Sequence, residues 1–168
     1  TIINLLSLFY EFDSGTIAID GFSIREYSLE ALRKHVAVVL QDVFLFADSL
    51  FNNITLFNPE ITRAQVIKAA KTIGVHDFIE TLPEGYDYNV KERGGMLSSG
   101  QRQLIAFLRA YISKPNILVL DEATSSVDSY SEEIIQNAID TLTKGKTSIV
   151  IAHRLATVKN ANRIVVLD

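Results

Sequence analysis

The chain has no cysteine and no tryptophan, and only three prolines and one methionine among its 168 residues. Without cysteine, disulfide frameworks and thiolate metal sites are excluded, which fits a reducing compartment. No apolar run approaches the roughly 18 residues that a membrane-spanning helix needs. No basic segment followed by an apolar stretch marks a secretion signal. Positive charge is not in excess either: the net charge is −4 and the pI about 5.4, so nothing draws the chain generally to nucleic acid. Internal repeats, low-complexity stretches and flexible linkers are lacking. What is there is ordinary globular composition, 48% hydrophobic and 21% charged. It suffices for one domain with a real core and is short for two. The expectation is one soluble, intracellular domain over residues 1–168.

Both ends read as cuts. The opening "TIINLLSLFYEF" carries Ile2, Ile3, Leu5, Leu6, Phe9 and Tyr10 at helical spacing, with nothing before them to cap the helix. The closing "RIVVLD" is a buried-strand run that stops without a turn. A piece of a longer chain is therefore expected.

Between the ends the pattern alternates. "DSGTIAIDG" reads as a strand bracketed by glycine turns, and "SLEALRKH" as a short helix with Ser28 at its N-cap. "VAVVLQD" is a continuous apolar run, the mark of a strand covered on both faces. From about Asp48 to Lys91 the spacing is helical, with a Thr62-x-x-Gln65 capping box and Gly74 as a stop. A long helix opens at "LSSGQ" and runs to about Ser113, where Pro115 enforces a break. Then come a strand in "NILVLDEA", a helix with Ile134, Ile135, Ala138, Ile139 and Leu142 on one face, a strand in "TSIVIAH", a short helix in "LATVKNA" and a strand in "RIVVLD". Strands alternating with helices predict an α/β fold with a parallel sheet covered on both faces, interrupted by a helical insertion.

Ligands of such sheets bind beyond the carboxyl ends of the strands. Those ends carry Gln41, Asp121 with Glu122, and His153. Adjacent residues of an extended chain point to opposite sides, so one acid can face a metal while the other faces a water. A bare acid pair after an apolar strand also fits a surface loop. "LSSGQ" has the capping-box pattern Ser98-x-x-Gln101, and a helix start with small residues at Ser99 and Gly100 suits an anion. Taken alone, that motif is better explained by ordinary capping. The joint occurrence, three strand ends with Gln, Asp-Glu and His plus one anion-suited helix start, favours phosphate chemistry. His35 and His76 read as surface residues.

In these segments the chain resembles the nucleotide-binding domain of an ABC transporter, nearest the multidrug and lipid exporter branch. "VVLQD" resembles the Q-loop, "LSSGQ" the signature motif, "ILVLDE" Walker B, "SSVD" the D-loop and "IAHR" the switch-histidine loop. "FLFADSLFNNI", "HDFIETLPEGYD" and "KERGG" resemble exporter text between Q-loop and signature. The resemblance implies a P-loop NTPase-like (RecA-like) core with an inserted helical subdomain at about 48–98. It implies ATP and Mg²⁺ as cofactors, with Gln41 and Asp121 at the metal, Glu122 polarising water and His153 at the γ-phosphate. Ser98, Ser99, Gly100 and Gln101 would bind the nucleotide held by a second nucleotide-binding domain, with Asp128 working across the same head-to-tail interface. A transmembrane domain, fused or separate, is the other implied partner, at the cytoplasmic face of a membrane, with no nucleic acid.

Two departures stand out. Ser99 occupies a position where the signature carries glycine. The phosphate loop G-x-x-x-x-G-K-[ST] does not occur in the chain. Thr1 would follow its last residue, so the loop and an N-terminal strand are absent, and the 168 residues alone are expected to be inactive. Two other readings compete: a non-transport ATPase of the same superfamily acting on DNA, and a degenerate subunit that does not hydrolyse. Leu97 follows Gln41 by only about 56 positions, with no sustained heptads, against the first. Glu122 and His153 are intact, against the second.

Overall fold

A computed structural model describes residues 2–121, 129–151 and 161–166. Helix α1 (Ile2–Leu6) buries Ile3 and Leu6 but leaves Phe9 and Tyr10 at 60% and 67% exposure. The apolar spacing predicted a longer buried helix. Leu8 enters the left-handed region at φ 50°, and the helix stops short of it. The strand expected over 13–21 shrinks to β1 (Ala18–Ile19), paired antiparallel with β2 (Phe22–Ser23). Asp20 and Gly21 between them have φ of 52° and 86°, as a two-residue type I′ hairpin requires.

Helix α2 (Leu29–His35) starts where predicted, with Ser28 Oγ accepting from the Ala31 amide at 3.2 Å. It runs directly into strand β3 (Val36–Val39). Three helices follow: α3 (Leu50–Thr55), α4 (Arg63–Thr72) and α5 (His76–Glu80). At α4 the predicted capping box is present, the Thr62 amide donating to Gln65 Oε1 at 2.7 Å. Helix α6 (Ser99–Ile112), strand β4 (Ile117–Asp121), helix α7 (Ser129–Thr143) and strand β5 (Thr147–Ile151) complete the order.

β3, β4 and β5 form a parallel sheet in that order, with Val36 level with Ile117 and Ile117 level with Thr147. The pleat sends alternate residues of the central strand to opposite faces. Ile117 and Val119, with Val36, Val38 and Ile149, meet Ile3, Leu6 and Leu32 of α1 and α2. Leu118 and Leu120, with Ala37 and Val39, join Ile105 and Leu108 of α6 and Ile135 and Leu142 of α7. Helices cover both faces, as the apolar runs predicted. Leu50, Ile54, Val66 and Ile79 of α3–α5 belong to this same larger core. Full burial of side chains such as Leu118 and Leu120 contributes about 1.5–3 kcal/mol each.

The last predicted strand does not form. Ile164, Val165 and Val166 stand 63%, 70% and 81% exposed and pair with no strand among the described residues. An apolar run becomes a strand only against a ladder, and among the described residues no strand lies on the free edge of β5. The short helix predicted at 155–161 falls, but for its last residue, outside the described residues.

Candidate nucleotide site

Parallel pairing brings the strand ends to one edge. Asp121 closes β4, half-buried and level with Ile151 at the end of β5. Val39, last of β3, is level with Leu120, so the exposed Gln41 leaves the sheet at the same carboxyl edge. Chain order puts Glu122 directly after β4 and His153 two residues after β5. Glu122, Asp128, His153 and Thr1 all lie outside the described residues.

The start of α6 has the predicted reciprocal cap. Ser98 Oγ accepts from the Gln101 amide at 3.2 Å, and the Ser98 amide donates to Gln101 Oε1 at 2.9 Å. This fixes the helix mouth and commits the Gln101 side-chain oxygen to the backbone. Ser98 and Ser99 are exposed at that mouth, while Gly100 is buried. An anion approaching this helix start would meet the two serines first.

Gln41 and Ser99 share a cleft. Its volume is roughly 540 Å³, and Gln41, Asp42, Val43, Phe44, Arg93, Ser99 and Arg102 line it. Two guanidinium groups against one carboxylate make the cleft net positive, which suits an anion. Asp121 is not among its lining residues. Arg102 Nη1 donates to the Leu97 carbonyl at 2.5 Å, tying the helix to the loop before it.

That loop is tightly specified. Lys91, Arg93 and Gly94 take φ of 58°, 54° and 66°, a costly region for the two that carry side chains. A Cβ on Gly94 would stand 2.7 Å from Leu45 Cδ1. Leu45 is itself fully buried, so glycine alone fits.

Two features escaped the sequence reading. One is a row of exposed aromatics beyond Gln41. Phe44 and Phe46 meet edge-on with ring centres 5.2 Å apart, and Phe46 meets Phe57 at 5.8 Å. Phe44, Phe46 and Phe57 are 56%, 43% and 54% exposed. Leu56 and Phe57 both take left-handed φ, 51° and 61°, a strained pair that sets Phe57 on Phe46. The signal was the paired phenylalanines of "VFLFAD" in a loop. The other is the polar pair of buried Asn53 and half-buried Arg109. Arg109 donates from Nε to the Asn53 carbonyl at 2.6 Å, from Nη1 to the Phe44 carbonyl at 2.8 Å and from Nη2 to Asn53 Oδ1 at 3.0 Å. Burial pushes its pKa down to about 10.

His35 is exposed as expected, its Nδ1 2.8 Å from Asn116 Oδ1. His76 is not a surface residue in that sense. It is half-buried, with Nδ1 2.9 Å from the Tyr86 hydroxyl, and burial pushes Tyr86 up to about 12.

Among the described residues no three His, Cys, Asp or Glu side chains cluster as a metal cage. The Asp121 carboxylate and the Gln41 amide are hard oxygen donors. One or two such groups are what Mg²⁺ takes from a protein when phosphates and water supply the rest. The donor set fits. Among the described residues no helix is long and apolar enough to cross a membrane.

The family model for ABC transporters matches residues 1–125. The chain is 49% identical over its full length to the ABC transporter ATP-binding protein YknV of Bacillus subtilis, covering 28% of that protein. It is 46% identical, again over its full length, to a protein of Staphylococcus aureus named as a multidrug export ATP-binding/permease protein, covering 29% of it. Among solved structures it matches a bacterial Atm1-family ABC exporter with ATP bound, at 40% identity and a TM-score of 0.90. That match covers 99% of this chain and 29% of the exporter chain. The chain thus spans under a third of the length of the relatives it matches.

Proposed function

The chain belongs to the ABC transporter family, and on that premise we propose that it is the core of an ATP-hydrolysing motor that drives export across a membrane. One observation carries the reading: a parallel sheet whose carboxyl edge bears Gln41 and Asp121, followed in the same chain by a capped helix start with Ser98 and Ser99 exposed.

Bound Mg²⁺ supplies charge neutralisation on the phosphates. Asp121 and Gln41 hold it, and Glu122 orients the attacking water and accepts its proton. His153 contacts the terminal phosphate. Ser98, Ser99, Gly100 and Gln101 bind the nucleotide of a second, head-to-tail copy, with Asp128 at that interface. Residues 48–98 act as an inserted helical subdomain.

The second partner is the permease part of the same polypeptide. This chain covers 29% of the relative named as an ATP-binding/permease protein, whose remaining length has room for the permease as well as the rest of the ATP-binding part. The exposed row Phe44, Phe46 and Phe57 is the surface on which it docks, at the cytoplasmic face. The 168 residues by themselves carry no phosphate loop, and tight ATP binding needs that cradle of amides and lysine.

The test is steady-state ATP hydrolysis by the full-length protein in lipid, titrated with Mg²⁺. Asp121→Asn is expected to shift the Mg²⁺ requirement upward. Hydrolysis whose Mg²⁺ dependence is unchanged by Asp121→Asn overturns the metal assignment.

A further inference from the structure

Arg109 sits late in α6, eleven positions beyond Ser98, or about 16 Å along the helix axis at 1.5 Å per residue. Its guanidinium spans two segments at once, the Phe44 carbonyl on one side and Asn53 on the other. Asn53 is 0% exposed and extends the grip. Its Nδ2 donates to the carbonyls of Phe46 and Ser49 at 3.0 Å, and its Oδ1 accepts the Phe46 amide at 2.8 Å. Every polar arm of this pair ends on the segment 44–49 or on α3. Among the described residues the cation has no carboxylate partner, since the one ion pair there is Arg63–Asp87.

That is an expensive way to fill space. A half-buried charge balanced only by neutral oxygens costs stability that leucine or methionine would not. What arginine adds is a rigid planar fork that joins two chain segments. Near the other end of α6, Leu45 packs against Gly94 in the loop that leads into the helix, so the segment 44–46 is held near both ends of the helix.

We propose that Arg109 and Asn53 are positioning residues: together they lock the aromatic row Phe44, Phe46 and Phe57 to α6, so that a load on the row moves the helix start Ser98–Gln101. This rests on the motor reading above, in which a partner docks on the row and the helix start meets a nucleotide. The row and the helix start then travel as one body. Without the clasp, the row shifts while the helix start lags behind.

The experiment uses the full-length protein in lipid with Arg109→Lys, Asn53→Ala and the double variant. Lysine keeps charge and stem but offers a point donor in place of the fork. For each, kcat and KM for Mg-ATP are measured per folded molecule, and hydrogen exchange is followed in segments 44–49 and 98–103. Loss of positioning with binding intact predicts KM within about twofold and kcat lower by roughly 10–10²-fold. The double variant should fall no further than the worse single one, as expected for one unit. Exchange should rise in both segments. Wild-type kcat in both single variants, independent multiplication of their effects, or faster exchange confined to one segment overturns the clasp. A wild-type protein that hydrolyses no ATP overturns the motor reading instead, and the exchange data still decide the clasp.

Discussion

Gly94 Cα packs against Leu45 so closely that a Cβ on Gly94 would lie 2.7 Å from Leu45 Cδ1 and 3.2 Å from Arg102 Cδ. This contact joins the loop before α6 to the segment beyond Gln41. Both lie beside the same cleft.

Gly94→Ala is therefore expected to destabilise the protein by about 1–3 kcal/mol, from overpacking added to a left-handed φ. Gly95→Ala is the control, because its φ is negative and the nearest atom to its added Cβ is the Glu92 carbonyl oxygen at 3.5 Å. Urea midpoints should separate the two variants. Equal midpoints would show that Leu45 yields without cost.

Ser98 caps α6 and is also proposed to bind phosphate, two roles that can be separated. As N-cap its hydroxyl accepts the Gln101 amide, and Ser98→Ala should cost the helix about 1 kcal/mol. Ser98→Asp keeps a good cap but places a carboxylate where phosphate is proposed to sit. The expected outcome is wild-type stability with ATP turnover lost. Turnover retained in Ser98→Asp would leave Ser98 as a cap alone.

Two carboxylates set an acid limb to stability. The Ser49 amide, donating at 2.6 Å, and then the Asn52 side chain hold Asp48 below its ordinary 3.8. The Arg63 guanidinium does the same for Asp87, through a bond of 2.6 Å. Depressed folded-state values mean stability that is present above the unfolded pKa and lost as pH falls through the folded one. The fall thus lies below 3.8 for both groups. Urea midpoints taken at about pH 6 and about pH 3 should drop less in Asp48→Asn than in wild type. An identical drop removes Asp48 from the acid limb.

How much of this was readable in the residues depends on the range of the forces. Caps are local, so Ser28, Thr62–Gln65 and Ser98–Gln101 were legible from spacing, and all three formed. The strands of the parallel sheet were legible because a run such as Ile117–Leu120 is apolar on both faces. Asp121 and Gln41 at one edge followed from that topology. "RIVVLD" was misread because a strand needs a neighbour, and the described residues place none beside it. Phe9 and Tyr10 were misread because helical spacing says nothing of where a left-handed residue such as Leu8 ends the helix. The Arg109–Asn53 clasp was beyond reach for another reason. It joins positions 56 apart in the chain, and no local pattern announces such a pairing.

In the proposed motor the carboxyl edge of the sheet is the site of ATP hydrolysis, with Glu122 as the group that activates water. The most direct measurement is turnover and ATP binding by the full-length protein carrying Glu122→Gln. Glutamine keeps the size and a hydrogen-bonding side chain but cannot take a proton. ATP binding is expected at wild-type affinity, with turnover lower by about two orders of magnitude or more. Turnover at the wild-type rate would contradict that role for Glu122.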